Sequence, residues 1–360
     1  LHGAGIDVSL FKGGGREERS YEVVVPCLHR GQALTRLLTR WQFPGSWRTP
    51  LASPYALESW TFARSLVRKL RAGYDVVNLQ DPLVAAALLA ARNDGKIKPN
   101  VLLANGTEEA PEFLARFDYL QELDPLGVEQ LEIAGIRRKH WYVVPNFVDT
   151  GVFCPGDQAA ARRRFNLPLD TYVVLGVGAI QRQLKRTDYL IQEFARLSRA
   201  SQSSALLVVA GARSDETDDL KRMAERDIGG QFRFLENIAH EAMPDLYRAA
   251  DVFAFPVLHG IYGIALAEAA ATGLPCLVHN WNRVSWVAGP GATIVDMNQP
   301  GSLAAMMDKL RNKPAREAAS VRTRQWAVSH LSTTRVVHQY IDMYHDVIET
   351  SRCLPGGSST

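Results

Sequence analysis

A short apolar run, a glycine-bearing loop and a small-residue helix follow one another between Ala250 and Pro275. The run Ala250–Phe255 carries Asp251 near its start and ends at Pro256. The loop spans 257–263, and the helix starts near Ile264 and stops at Gly273-Leu274-Pro275. Apolar runs of about four to eight residues that alternate with helical segments read as parallel strands buried on both faces. The same succession recurs along the chain. Strands are expected at 6–11, 21–26, 74–79, 100–104, 118–123 and 141–144, then at 172–178, 205–210, 232–235, 276–279 and 293–295. Continuous alternation of this kind restricts the chain to the α/β class with parallel sheets. A polar, proline-bounded stretch at mid-chain divides it in two. The expected organisation is a first domain over 1–154, a linker over 155–170 and a second domain over 171–332. A closing helix over 333–351 is expected to cross back to the first domain, before a disordered tail over 352–360. A parallel domain ordinarily has a strand and helix ahead of a beginning such as Leu1–Phe11, so a first βα unit is expected to be missing.

Composition excludes several classes. At 360 residues and 46% hydrophobic, the chain can bury a large core, and its net charge of +3 is too small for a nucleic-acid footprint. Its four cysteines are far apart, without metal or disulfide spacing, which suits a reducing cytosol. No apolar run reaches the ~18 residues that a membrane span requires. No Asp-x-Asp pair follows a strand, so the sequence offers no obvious metal site.

Residues at strand ends and helix starts are the site candidates, because ligands of open α/β sheets bind at the carboxyl edge. Glu268 stands in the second turn of an otherwise apolar helix. It is either a solvated side chain or a hydrogen-bond acceptor for a diol such as a ribose. The loop after the strand 172–178 places Arg182, Lys185 and Arg186 where a helix begins. That cluster is either a solvated basic turn or a phosphate site. Asn105, Gly106 and Thr107 follow the strand 100–104, and Asp81 follows the strand 74–79. Two basic segments admit a surface reading as well. Arg36–Arg48 mixes arginines with Trp41, Phe43 and Trp47. The helix 60–72 carries an apolar stripe, Phe62, Leu66 and Leu70, with Arg64, Arg68, Lys69 and Arg71 off it. Either packs as ordinary surface or meets an anionic membrane or a carbohydrate.

PNFVDTGVFCPGD over 145–157 and LYRAADVFAFPVLHGIYGIALAEAAATGLPCL over 246–277 resemble glycosyltransferase family 4, of the GT-B fold. The resemblance covers essentially the whole chain. It implies two Rossmann-like parallel-sheet domains facing across a cleft, an acceptor-side domain first and a nucleotide-sugar-binding domain second. It also implies a metal-independent, retaining hexosyltransferase without a cofactor. The partners implied are a nucleotide sugar donor and a saccharide or lipid-linked acceptor, with an anionic membrane surface as a candidate and no nucleic acid. The setting is cytoplasmic, with peripheral attachment to the inner face of the membrane. By the same resemblance Glu268 binds the ribose hydroxyls. The turn Ile261-Tyr262-Gly263-Ile264 offers N–H groups to sugar and phosphates, and Lys185 neutralises the diphosphate beside Gly178. Three positions depart from the family. The first of its two signature glutamates falls on Gly260, with His259 or backbone as the substitute sugar contact. Ala179 replaces an arginine, whose place Arg182 is expected to take. Asn105 replaces a histidine of the first domain. These departures leave a sugar-nucleotide-binding pseudoenzyme as the alternative. A Rossmann dehydrogenase is disfavoured, since Gly176-Val177-Gly178 is followed by Gln181 where a third glycine is needed.

Overall fold

The computed structural model describes residues 1–353 apart from 2, 4, 41–48, 72, 108, 137–139, 201–203 and 261. The chain divides into two compact units: Leu1–Val144 with the chain from Val337 onward, and Pro145–Val336.

In the first unit, β1 (Leu10–Lys12) and β2 (Glu22–Val24) pair in parallel as a sheet of their own. The strands β3 (Val76–Leu79), β4 (Asn100–Asn105), β5 (Tyr119–Glu122) and β6 (His140–Val143) make a second parallel sheet in that order. The helices α1 (Ala33–Leu38), α2 (Pro54–Lys69), α3 (Pro82–Asn93), α4 (Pro111–Leu114) and α5 (Pro125–Ile133) connect them. The last four begin on proline, which costs nothing where the first-turn N–H has no partner. Ser53, Asp81 and Asp124 cap α2, α3 and α5. The expected opening strand 6–11 is therefore shorter and displaced, and it does not join the larger sheet. A cavity of about 870 Å³, lined by Leu10 and Phe11 of β1, Phe62 of α2 and Val77 and Leu79 of β3, lies beside these strands. The apolar stripe of α2 is inward: Leu66 and Leu70 are buried, whereas Arg64, Arg68 and Lys69 are exposed.

The second unit carries six parallel strands. They are β7 (Tyr172–Val177), β8 (Ala205–Gly211), β9 (Phe232–Glu236), β10 (Val252–Phe255), β11 (Cys276–His279) and β12 (Thr293–Val295). Their spatial order is β12-β11-β10-β7-β8-β9. The chain thus builds outward from β7 to β9, returns to place β10 on the other side of β7, and builds outward again. This is the doubly wound order whose topological switch lies between the first and fourth strands. The helices are α6 (Gln158–Arg164), α7 (Thr187–Ala200), α8 (Thr217–Ile228), α9 (Met243–Ala249), α10 (Ile264–Thr272), α11 (Asn282–Ala288), α12 (Ser302–Lys309) and α13 (Lys313–His330). The core packs Val174, Leu207 and Ala254 of the sheet against Leu190, Ile191 and Phe194 of α7.

The stretch 155–170, expected as a linker, instead holds α6 and belongs to the second unit. Arg162 of α6 is buried. It donates to the Ala249 carbonyl at 3.0 Å and to Asp251 at 2.7 Å, while Asp251 also accepts the Val173 N–H at 2.8 Å. A buried ion pair of this kind ties α6 to the starts of β7 and β10, which its polar sequence conceals. The chain passes between the units at 144/145 and again within α14 (Thr333–Cys353), whose residues from Val337 belong to the first unit. There α14 lies on the four-stranded sheet. Tyr344 accepts from Asn78 at 2.8 Å, Tyr340 accepts from Gln121 at 2.8 Å, and the Val347 carbonyl accepts from Asn100 at 3.2 Å.

The ends of β7 and β8 approach each other closely. A Cβ on Gly211, at φ +156°, would stand 1.8 Å from the Gly178 carbonyl oxygen. Backbone must move to admit it, so Gly211→Ala is expected to destabilise the protein by about 2–4 kcal/mol, measured by urea unfolding.

Candidate functional site

The switch point sets the site. Two loops leave the carboxyl ends of neighbouring strands there: 178–186 after β7 and 256–263 after β10. Phe255, the last residue of β10, joins them. The Lys185 ammonium lies 5.5 Å from its ring centroid, and a Cβ on Gly263 would come within 2.9 Å of Cζ of the same ring. Gly263 therefore has to be glycine for α10 to start against Phe255. Gly178 has a matching role, since a Cβ there would stand 2.9 Å from Lys185 Cδ. The lysine stem thus lies across bare backbone.

The three cations of the 182–186 loop separate into three roles. Arg182 pairs with Asp219 and, at 3.5 Å, with Glu216, and its N–H donates to Glu216 at 2.8 Å. Its charge is already compensated by α8, contrary to the expectation that it would stand in for the missing arginine. Arg186, at φ +46°, donates to the carbonyls of Pro256 and Met297 and lies 4.0 Å from the Tyr189 ring. It pins the end of β10 in place. Lys185 makes no hydrogen bond or ion pair among the described residues. Burial pulls its pKa down from the ordinary lysine value. A partly buried cation without a counter-ion has its strongest attraction left to offer an anion.

The N-terminus of α10 carries no side-chain cap, and its first-turn N–H groups point out of the helix toward the loop. Gly260 has φ +76°, a conformation that favours glycine, with nothing within 4 Å of a built Cβ. A glutamate there would have space but a strained backbone. Tyr262 donates to the Asn146 carbonyl at 2.7 Å, anchoring the loop to the segment after Pro145. His259 is exposed, its ring edge-on to Trp281 at 5.4 Å. Ile261 lies outside the described residues, as do 41–48 of the basic-aromatic segment.

Glu268 is 7% exposed, so the solvated reading is excluded. One carboxylate oxygen accepts the Tyr247 hydroxyl at 2.8 Å, and the other has no partner among the described residues. Burial raises its pKa above the ordinary carboxylate range, opposed by the Tyr247 hydrogen bond and by the attraction of His240. It stands about 7 Å along the helix axis from the N-terminus. An uncapped N-terminus and a buried carboxylate thus lie on one helix.

The other unit holds Asn105, at the end of β4. It is buried and donates to Glu122 at 2.7 Å, while its carbonyl oxygen has no partner among the described residues. Thr107 donates to Glu109, and Gly106 packs by Leu123. Asp81 lines the cavity beside β1 and β3 and is engaged in the fold. It caps α3 through the Val84 N–H at 2.9 Å and accepts from Tyr55 at 2.9 Å and Ser59 at 3.3 Å. Sequence reasoning missed Phe255, Tyr247 and Trp281, whose buried indole N–H has no partner among the described residues. Aromatic residues in apolar runs carry no signal that separates them from the core. Among the described residues no group of three or more acidic, histidine or cysteine side chains is arranged to hold a metal, and no helix is long and apolar enough to cross a membrane.

Residues 157–326 match the family model of the group 1 glycosyl transferases. D-inositol 3-phosphate glycosyltransferase of Salinispora tropica is 31% identical over 267 residues, which is 70% of this chain and 52% of that protein. D-inositol 3-phosphate glycosyltransferase 1 of Catenulispora acidiphila is 30% identical over 65% of this chain and 57% of its own length. The chain spans about half the length of the curated relatives it matches. Sucrose-phosphate synthase from Thermosynechococcus elongatus superposes with a TM-score of 0.77 at 16% identity, covering 97% of this chain and 91% of its own. HepE of Anabaena, solved with UDP-glucose, gives a TM-score of 0.65 at 15% identity, over 87% of this chain and 84% of its own.

Because the folded state disfavours a buried Lys185 ammonium, Lys185→Met should leave the unliganded protein at least as stable as the wild type in thermal unfolding. Stabilisation by inorganic pyrophosphate should weaken roughly tenfold or more, the worth of one charge-assisted hydrogen bond.

Proposed function

We propose, from the premise that this chain is a GT-B protein with a group 1 glycosyltransferase domain at 157–326, that it transfers a hexose from a nucleotide diphosphate sugar to a saccharide or lipid-linked acceptor. The observation that carries this reading is that Lys185, on the loop after β7, and Glu268, on α10 after β10, follow neighbouring strands at the switch point. An uncompensated cation and an uncapped helix N-terminus meet the demand of a diphosphate. A buried carboxylate with one open oxygen, just over one turn further on, meets that of a ribose diol. The relatives named as glycosyltransferases, and UDP-glucose bound to HepE, support a uridine sugar as the first donor to try.

In this reading the reaction proceeds with retention at the anomeric carbon and without a metal. Negative charge grows on the departing diphosphate, and Lys185 and the N–H groups of 262–264, held by the fold before the ligand arrives, are assigned to meet it. Such preorganisation lowers the barrier because nothing has to reorient as the bond breaks. The departing phosphate takes the acceptor proton, and no side chain is assigned as general base. Arg182 has no direct role. Asn105, with an open carbonyl oxygen in the other unit, is assigned to the acceptor side. Attachment to an anionic membrane is assigned to the exposed face of α2, where Arg64 stacks 4.8 Å from the Trp60 ring beside Arg68 and Lys69.

Gly260 favours a second reading, nucleotide-sugar binding without turnover. Its left-handed backbone lacks the glutamate expected to hold a sugar hydroxyl. Donor hydrolysis or transfer separates the two.

Thermal shift with UDP, GDP, ADP and their sugars should give stabilisation by one nucleotide, and Glu268→Ala should weaken that binding by at least ~10-fold. Unchanged affinity would falsify the assignment of Glu268. Sedimentation with phosphatidylserine vesicles should show salt-sensitive binding that is lost when Arg64, Arg68 and Lys69 are replaced by Gln; no binding at low salt removes the membrane from the proposal.

A further inference from the structure

The carboxylate of Glu268 does not stand alone. It accepts from Tyr247 of α9, and that phenol is completely buried. Two aromatic neighbours hold the Tyr247 ring edge-on, Phe153 at 6.0 Å and Phe253 at 5.9 Å between centroids. Packing of the ring between them sets where its hydroxyl stands, within hydrogen-bond distance of the carboxylate. Burial, reinforced by the adjacent carboxylate, raises the Tyr247 pKa well above that of an ordinary tyrosine. Both effects favour the protonated phenol, which can donate.

A glutamate carboxylate on a helix has a soft terminal torsion and no fixed orientation of its own. Here one oxygen is captured and the other is left without a partner among the described residues. The same bond also counters the cost of burying the charge. We propose that Tyr247 is the positioning residue for Glu268. It captures one carboxylate oxygen, holds the other toward the nucleotide diol, and keeps the group ionised so that it can accept. This inference rests on the reading of Glu268 given above.

The groups acting on Glu268 from the packed elements are few. Tyr247 on α9 and His240 on the turn before it stabilise the charge. Cys276 on β11 acts on Tyr247, and burial keeps it a neutral thiol. On α13, Arg316 is occupied by Asp251 and by the carbonyls of Leu310 and Arg311, and Arg324 by those of Thr150, Phe153 and Ala271. Arg248 of α9 is occupied by Asp245 and by the carbonyls of Val152 and Cys154, Lys313 of α13 by Glu317, and neither Arg322 of α13 nor Arg283 of α11 is bonded to Glu268. Among the described residues, removing the Tyr247 hydroxyl thus leaves His240 as the group whose attraction stabilises this charge.

The test titrates binding of UDP, GDP and ADP, then of the 2′,3′-dideoxy form of whichever binds, between about pH 5 and pH 8. Wild type, Tyr247→Phe and Glu268→Gln are compared. Wild type should prefer the ribonucleotide and lose that preference as acid protonates Glu268. Tyr247→Phe should bind the ribonucleotide roughly tenfold more weakly, with its acid limb moved to higher pH. Its dideoxynucleotide affinity should match that of wild type at every pH. A Tyr247→Phe protein with the wild-type preference and limb overturns the proposal while leaving Glu268 in place, provided that Glu268→Gln abolishes the preference. If Glu268→Gln keeps the preference, or no nucleotide binds, the reading of Glu268 fails and this inference with it. Should Tyr247→Phe not fold, 3-fluorotyrosine at 247 is a stronger donor of the same shape. It must move the limb to lower pH, and an unmoved limb overturns the proposal.

Discussion

The pairing of β7 with β10 is the interaction on which the second unit depends. Val252 and Phe253 align with Val174 and Leu175, although some eighty residues and two further strands separate them in the chain. Because the chain reverses its direction of growth across this pair, the connections after the two strands diverge and leave open ground at their carboxyl ends. Everything assigned to the donor lies there. Lys185 arrives on the loop after β7, and α10 with Glu268 arrives on the loop after β10. Phe255 is the common floor.

Close packing at that floor requires the absence of side chains. Gly178, Gly211 and Gly263 sit where a methyl group would strike a carbonyl, a lysine stem or a ring. The result is bare backbone on either side of one aromatic residue, over which a charged ligand can approach. The glycines here serve the site rather than a turn.

The electrostatics follow from the same burial. Among the described residues, neither Lys185 nor Glu268 has an opposite charge bonded to it. Each is shifted toward its neutral form, the lysine downward and the carboxylate upward. Desolvation without compensation costs stability, and a ligand carrying a diphosphate at one end and a diol further along would return part of it. The neighbouring arginines differ. Arg162, Arg182 and Arg324 are saturated by acids or carbonyls and serve the fold. Cations as close in the chain as Arg182 and Lys185 thus differ in whether the fold already pairs them.

Strand and helix alternation and the parallel sheets were legible in the sequence, which also nominated Glu268 and Lys185, because local periodicity and the run of glycines after a strand survive in one dimension. Three things were not. Arg182 looked like a phosphate ligand because its partners Glu216 and Asp219 lie some thirty-five positions away, beyond any local pattern. The stretch 155–170 looked like a linker because a polar helix tied down by a buried arginine has the composition of a loop. Tyr247 was invisible as a partner of Glu268 because they are twenty-one residues apart on different helices. The sequence by itself determined which chemical groups the chain can offer and the class of fold that carries them. Only the tertiary structure decided which groups remain unpaired, because pairing depends on distances that the fold sets between residues remote in the chain.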